Sequence, residues 1–140
     1  MKGWIDRVFV NGVVYGKGRR IDAGGLKGRK AMLTLTTACY REMVAPDGLL
    51  GDLHINLWHL NSGTLAYAGF KVLPPFVGWS IQYTTAERHQ EYIAEYAQRL
   101  KTLECTEPMF FHLLGDFDAD WRLKPGIEPR AAGQRRREGE

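Results

Sequence analysis

The chain has 140 residues, 44% of them apolar and 25% charged, with a formal net charge of +3. That length fits one domain of ordinary globular composition, and the charge is too small to point to nucleic acid. No apolar run is long enough for a membrane span, no signal-peptide core is present, and two cysteines, Cys39 and Cys105, are too few for a disulfide framework or a zinc site. A reducing, cytoplasmic setting is the expectation.

The first predicted element is a short helix. Trp4, Ile5, Val8 and Phe9 fall on one face, and Asn11-Gly12 stops it. It has no N-capping residue and barely two turns, and so reads as the end of a helix. Residues 11–30 carry six glycines and form a loop. The stretch GKGRR invites a phosphate-cradle reading. The Walker spacing is missing and no strand leads into it, so turn chemistry is favoured.

Ala31 to Thr37 is a predicted strand, apolar or β-branched on both faces, as in a parallel sheet. A helix follows, with a stripe of Leu49, Leu53, Leu57 and Leu60 and a stop at Gly69. Residues 70–79 form a second strand. Pro74 and Pro75 would interrupt a central ladder, which places it at a sheet edge. A third helix begins at a capping box of Thr84 and Glu87. Its buried face is expected to be Ile93, Tyr96, Ala97, Leu100 and Leu103. Beyond it lies an apolar, aromatic arm that needs a surface to rest on. The domain is expected over residues 1–125, with a disordered basic tail over 126–140. The two strands are joined by a crossover of roughly thirty residues, which implies a parallel α/β sheet. Two strands are too few to cover three helices, and the first looks interior.

Several isolated residues invite chemistry. Cys39 has no visible histidine partner, so a small packed side chain is favoured over a nucleophile. His54 and His59 are five residues apart, on different helix faces; His89 and His112 lack metal-ligand spacing. Asp116, Asp118 and Asp120 alternate without the glycine and distal glutamate of a calcium loop, and read as a solvated turn. Trp58 and Trp79 read as core residues.

In order along the chain, KGWIDRVF, LKGRKAMLTLTT, PDGLLGDL and LWHLNSGTLAYAGFKVLPPF resemble the C-terminal half of flavodoxin-like NAD(P)H:quinone oxidoreductases, from Lys2 to about Arg122. The segment TEPMFFHLLGDFD resembles the arm of longer, FAD-using members. The resemblance implies a parallel sheet of order 2-1-3-4-5 with FMN or FAD at the carboxyl ends of its strands. It implies a homodimer with flavin at the interface, and hydride transfer from NAD(P)H through flavin to a quinone. The two strands would be the fourth and fifth. The first three, with the phosphate-cradling loop, are expected to be missing, making the sheet incomplete. Met1 would then be an internal methionine of a longer ancestor.

The family turn after the fourth strand is Thr-Thr-Gly-Gly. Thr36 and Thr37 match it, and Ala38 and Cys39 stand at the glycine positions, where added β-carbons are expected to strain the turn or crowd the flavin. Where relatives carry a tyrosine and a histidine, this chain has Val44 and Leu50, neither of which holds a proton. Tyr15 matches an aromatic position of the quinone pocket; its phenylalanine neighbour has become Val13. No catalytic residue and no metal ligand is assigned. Two functional readings result. One is a flavin-dependent quinone reductase. The other is a non-catalytic module that pairs with a full-length relative through the edge of the first strand.

Overall fold

The computed structural model describes residues 2–135. Helix α1 spans Lys2–Val8 and strand β1 spans Lys30–Thr36. Two short helical turns follow, α2 over Leu53–Asn56 and α3 over Trp58–Leu60. They run directly into a π-helical segment, Asn61–Ala66. Strand β2 is Lys71–Gly78 and helix α4 is Ala86–Lys101.

The strands pair in parallel as a two-stranded sheet, in the register Ala31 with Val72 and Leu35 with Val77. The register slips between Met32 and Thr34, where one residue, Leu33, faces two, Pro74 and Pro75. This bulge is how the sheet admits two prolines, which bring no amide hydrogen to the ladder. On the far side of β2, the Met109 amide donates to the Val72 carbonyl at 2.8 Å and the Arg99 guanidinium donates to the Pro74 carbonyl at 2.9 Å. The aromatic arm therefore lies along β2.

The core sits around β2, where Val72 and Leu73 are fully buried. A second cluster joins Phe9, Val14 and Ala68, with Ile5, Tyr15, Leu26, Leu65 and Phe70 packed against it. The glycine-rich loop is built for this close packing. Gly25 donates to the Val14 carbonyl at 2.8 Å and Leu26 to the Ala68 carbonyl at 3.0 Å. A β-carbon on Gly24 would lie closer than 3.0 Å to the Ala68–Gly69 peptide. Gly69, at φ +105°, closes the helical segment against the same loop.

Several expectations are corrected by the structure. The residues of β1 are at most half-buried, and Thr34 and Thr36 are exposed, because among the described residues nothing pairs with the outer edge of β1. Of the α1 face, Phe9 is buried while Trp4 and Val8 are exposed. Leu49 is 82% exposed and lies outside the helix, which starts at Leu53. Its cap is Asp52, whose carboxylate accepts the His54 and Ile55 amides. Helix α4 is capped by Thr85 instead of Thr84. It is also rotated about its axis, leaving Ile93 61% and Leu100 45% exposed, with Ala97 exposed beside them. The sheet-facing side is held by polar tips instead. Tyr96 packs on Phe76 at 5.0 Å, Arg99 reaches Pro74, and the Tyr92 hydroxyl meets the backbone of Trp79 at 3.2 Å.

Part of the segment expected to be a solvated tail is packed: Ala131 is buried, and a β-carbon on Gly133 would enter the Trp58 indole. Residues 136–140, including Arg136 and Arg137 of the arginine run, lie outside the described residues. No helix among the described residues is long and apolar enough to cross a membrane.

Candidate functional site

The turn Thr36–Cys39 follows β1 at the carboxyl end of both strands, where open parallel sheets place ligands. Its geometry is set by the end of β2. The Thr37 amide donates to the Gly78 carbonyl at 2.9 Å, and the Ile81 amide donates to the Thr37 carbonyl at 3.0 Å. The Thr37 hydroxyl accepts the Cys39 amide at 2.9 Å, a local turn that fixes the next two residues. The Cys39 carbonyl then accepts both the amide and the hydroxyl of Ser80, each at 3.1 Å.

Ser80 was not legible as a site residue. It is buried and sits in the left-handed region at φ 52°, a conformation non-glycine side chains seldom adopt. The carbonyl it holds belongs to a residue 41 positions earlier, so no local signal marks it. The segment beyond is fixed to α4, since the Ile81 carbonyl accepts from Nε2 of His89 at 2.9 Å.

Ala38 and Cys39 are not among the residues with positive φ. The strain expected from replacing two glycines is therefore not present in the turn. Thr36, Ala38 and Tyr40 are exposed, while Thr37 and Cys39 are half-buried. Among the described residues the Ala38 amide has no hydrogen-bond acceptor. The turn thus offers an unpaired backbone donor on an exposed residue, and a threonine hydroxyl, on a hydrogen-bonded base. That fits one edge of a flat, hydrogen-bonding ring such as a flavin.

Beyond the turn, the chain makes a 3-10 turn at Arg41–Val44, which is closed by the Leu50 amide donating to the Met43 carbonyl at 2.8 Å. Between this segment, the start of α2 and β2 lies an open groove of about 620 Å³, walled by Arg41, Val44, His54, Pro75 and Trp79. Val44 brings no proton to it. His54 does bring an imidazole, and its Nδ1 is buried without a partner among the described residues; a search for metal-ligand spacing alone would pass over it. Leu50 is exposed. Tyr15 lies elsewhere. It packs against the Phe9–Val14–Ala68 cluster, its ring 6.3 Å from that of Tyr67. The structure brings Thr36, Thr37, Ala38 and Cys39 together and leaves Tyr15 apart from them.

A family model described as the flavodoxin-like fold matches residues 1–103. Ribosyldihydronicotinamide dehydrogenase [quinone] of Mus musculus is 39% identical over 117 residues, covering 79% of this chain and 51% of that protein. NAD(P)H dehydrogenase [quinone] 1 of Cavia porcellus is 34% identical over 132 residues, covering 91% of this chain and 48% of its own length. Among solved structures, a Klebsiella pneumoniae protein assigned as a quinone reductase superposes with a TM-score of 0.83 at 34% identity, over 96% of this chain and 56% of that one. The chain spans about half the length of the curated relatives it matches. It belongs to the flavodoxin-like fold family and is similar to the quinone dehydrogenases.

Proposed function

We propose that the chain carries the flavin-contacting turn of a quinone reductase, using FMN or FAD and NAD(P)H. The observation that carries this reading is the hydrogen-bonded Thr36–Cys39 turn, with the unpaired amide of exposed Ala38, at the carboxyl end of a parallel strand pair. Similarity to NAD(P)H and ribosyldihydronicotinamide quinone dehydrogenases supports it. A flavin held by these residues would supply hydride-transfer chemistry between NAD(P)H and a quinone.

The chain's own residues position and exclude. Ala38 would donate its amide to the ring edge, and Thr36 would present its hydroxyl. Thr37 and Ser80 keep the turn from moving, so little ordering entropy is lost on binding. Ala38 and Cys39 add β-carbons that narrow the approach but leave the backbone donor in place. Tyr15 packs in another part of the fold, so a quinone site using both Tyr15 and the turn requires two chains. That favours the homodimer. A cytoplasmic setting accords with two free cysteines, Cys39 and Cys105.

A second reading rests on a different observation. The outer edge of β1 is unpaired among the described residues and opens on an apolar groove of about 300 Å³, walled by Trp4, Ile5, Leu33, Leu60, Leu65 and Phe70. Unpaired edges of this kind recruit strands. Here the chain is a non-catalytic module whose open β1 edge is covered by a strand of a full-length relative.

Turnover separates the readings. The purified chain, given FMN or FAD, should oxidise NADH or NADPH only when a benzoquinone is present. Absence of turnover alone, with turnover appearing on mixing with a full-length relative, supports the pairing module. Thr37→Val removes the acceptor that fixes the Cys39 amide. It is expected to weaken flavin affinity about five- to tenfold, the equivalent of one hydrogen bond of about 1 kcal/mol, measured by fluorescence titration.

A further inference from the structure

We propose that residues 129–135 form a pH-sensitive strap, docked while Nε2 of the buried His112 accepts the Arg130 amide and released when that nitrogen takes a proton.

His112 is only 5% exposed, enclosed edge-on by Phe110 at 4.9 Å and Phe117 at 6.2 Å. Its Nδ1 lies 3.0 Å from an Asp116 carboxylate oxygen, and its Nε2 lies 3.3 Å from the Arg130 amide nitrogen. A backbone amide can only donate, so Nε2 must carry the lone pair and Nδ1 the hydrogen. The neutral ring is then satisfied at both nitrogens. Protonation of Nε2 would set two donors face to face in a dry site, and the strap's hydrogen bond to the ring would be lost.

The charged groups facing this ring come from each neighbouring element. Asp116 stands on its own turn, and it also accepts the Leu113 amide at 3.1 Å. The His112 hydrogen bond is the main cause holding the Asp116 carboxyl below the usual range. Lys124 reaches in from the following turn, donating to the Gly115 carbonyl at 2.7 Å. Asp22, from the turn Ile21–Ala23 within the glycine-rich loop, accepts the Leu114 amide at 2.8 Å. Arg130 lies over the Phe110 ring at 4.4 Å. The helical side contributes Trp58, Ser62 and Tyr67, none of them charged near neutrality, around a small cavity of about 100 Å³. Carboxylates, lysine and arginine ordinarily keep their charge between about pH 5 and 8, whereas histidine is the side-chain type whose charge changes in that range.

The sign follows from linkage. The docked form excludes a proton from Nε2, whereas the released form accepts one beside Asp116. Docking is therefore full at high pH and is lost as pH falls. What release uncovers is apolar. Ala131 is buried, and Gly133 lies so close on Trp58 that a β-carbon would enter the indole. Trp58 in turn packs on Phe111 at 5.7 Å. The strap is thus a lid over an aromatic surface, independent of the quinone-reductase reading.

The test uses the full chain. Nitrogen-15 spectra of the His112 side chain at pH 8 should show the Nδ1–H tautomer. Hydrogen exchange at the Arg130 amide, corrected for its intrinsic pH dependence, should rise on the order of tenfold between about pH 8 and 5.5. Asp116→Asn removes the carboxylate that favours an imidazolium, and should move the midpoint down by about one pH unit. His112→Phe should leave the strap released at both values. An Nε2–H tautomer, or exchange at Arg130 that does not change with pH, would overturn the proposal. So would a midpoint unmoved in Asp116→Asn. The tautomer is read on the unaltered chain and stands even if a variant does not fold.

Discussion

Gly24→Ala is expected to abolish the cooperative thermal transition of the chain, read by circular dichroism. The new β-carbon would lie closer than 3.0 Å to the carbonyl carbon and oxygen of Ala68 and to the amide of Gly69. All three are backbone atoms, so no side chain can rotate away. Relief requires the glycine loop to lift off the end of the π-helical segment. That breaks the Leu26 amide bond to Ala68 and uncovers the Phe9–Val14–Ala68 cluster. Overpacking normally costs about 1–3 kcal/mol where neighbours can yield; here the neighbours are the peptide groups of Ala68 and Gly69, just ahead of β2. Gly28→Ala is the control. It meets nothing within 4 Å and carries only the cost of a positive φ, about 1 kcal/mol. A Gly24→Ala protein as stable as Gly28→Ala would show that the loop does not dock as described.

Leu73→Ala should lower unfolding free energy by about 2–5 kcal/mol in denaturant titrations. Leu73 is 1% exposed and pairs with Met32 across the sheet, next to the bulge. A cavity there cannot collapse easily, because the adjacent Pro74 is held through its carbonyl by Arg99. Whole-domain stabilities are about 5–15 kcal/mol, so the loss is a large share of the total. Leu49→Ala, at a side chain 82% exposed, should change stability by less than about 0.5 kcal/mol. Equal effects at the two leucines would place the core elsewhere than around β2.

The parts of this fold that were legible in the sequence are those set by local pattern. The run from Ala31 to Thr37 is apolar and β-branched, and the strand found there covers Lys30–Thr36. The distance to Lys71 requires a crossover, and the pairing is parallel. The prolines of β2 announced an interrupted ladder, and the structure shows the bulge that absorbs them. What was not legible depends on contacts distant in sequence. The apolar stripe of α4 pointed to Ile93 and Leu100, but carbonyls of β2 and the turn after it attract Arg99, Tyr92 and His89, and the helix turns its polar side inward. Leucine periodicity extended the second helix back to Leu49, whereas the Asp52 cap starts it at Leu53. In the candidate site, Thr36, Thr37, Ala38 and Cys39 could be placed from their position after a strand. Ser80 could not, because its left-handed backbone is imposed by the Cys39 carbonyl it binds. Gly133 likewise reads as one more glycine in a polar tail until Trp58, far back in the chain, is seen beneath it.

Titration of the purified chain with FMN and with FAD, followed by the visible flavin band at roughly 450 nm and by flavin fluorescence, is the most direct test of the proposed site. Saturable uptake of one of the two is expected, weakened in Thr37→Val and unchanged in Leu49→Ala. A folded chain that takes up neither flavin, alone or after mixing with a full-length relative, would contradict the assignment of Thr36–Cys39 as a flavin-contacting turn.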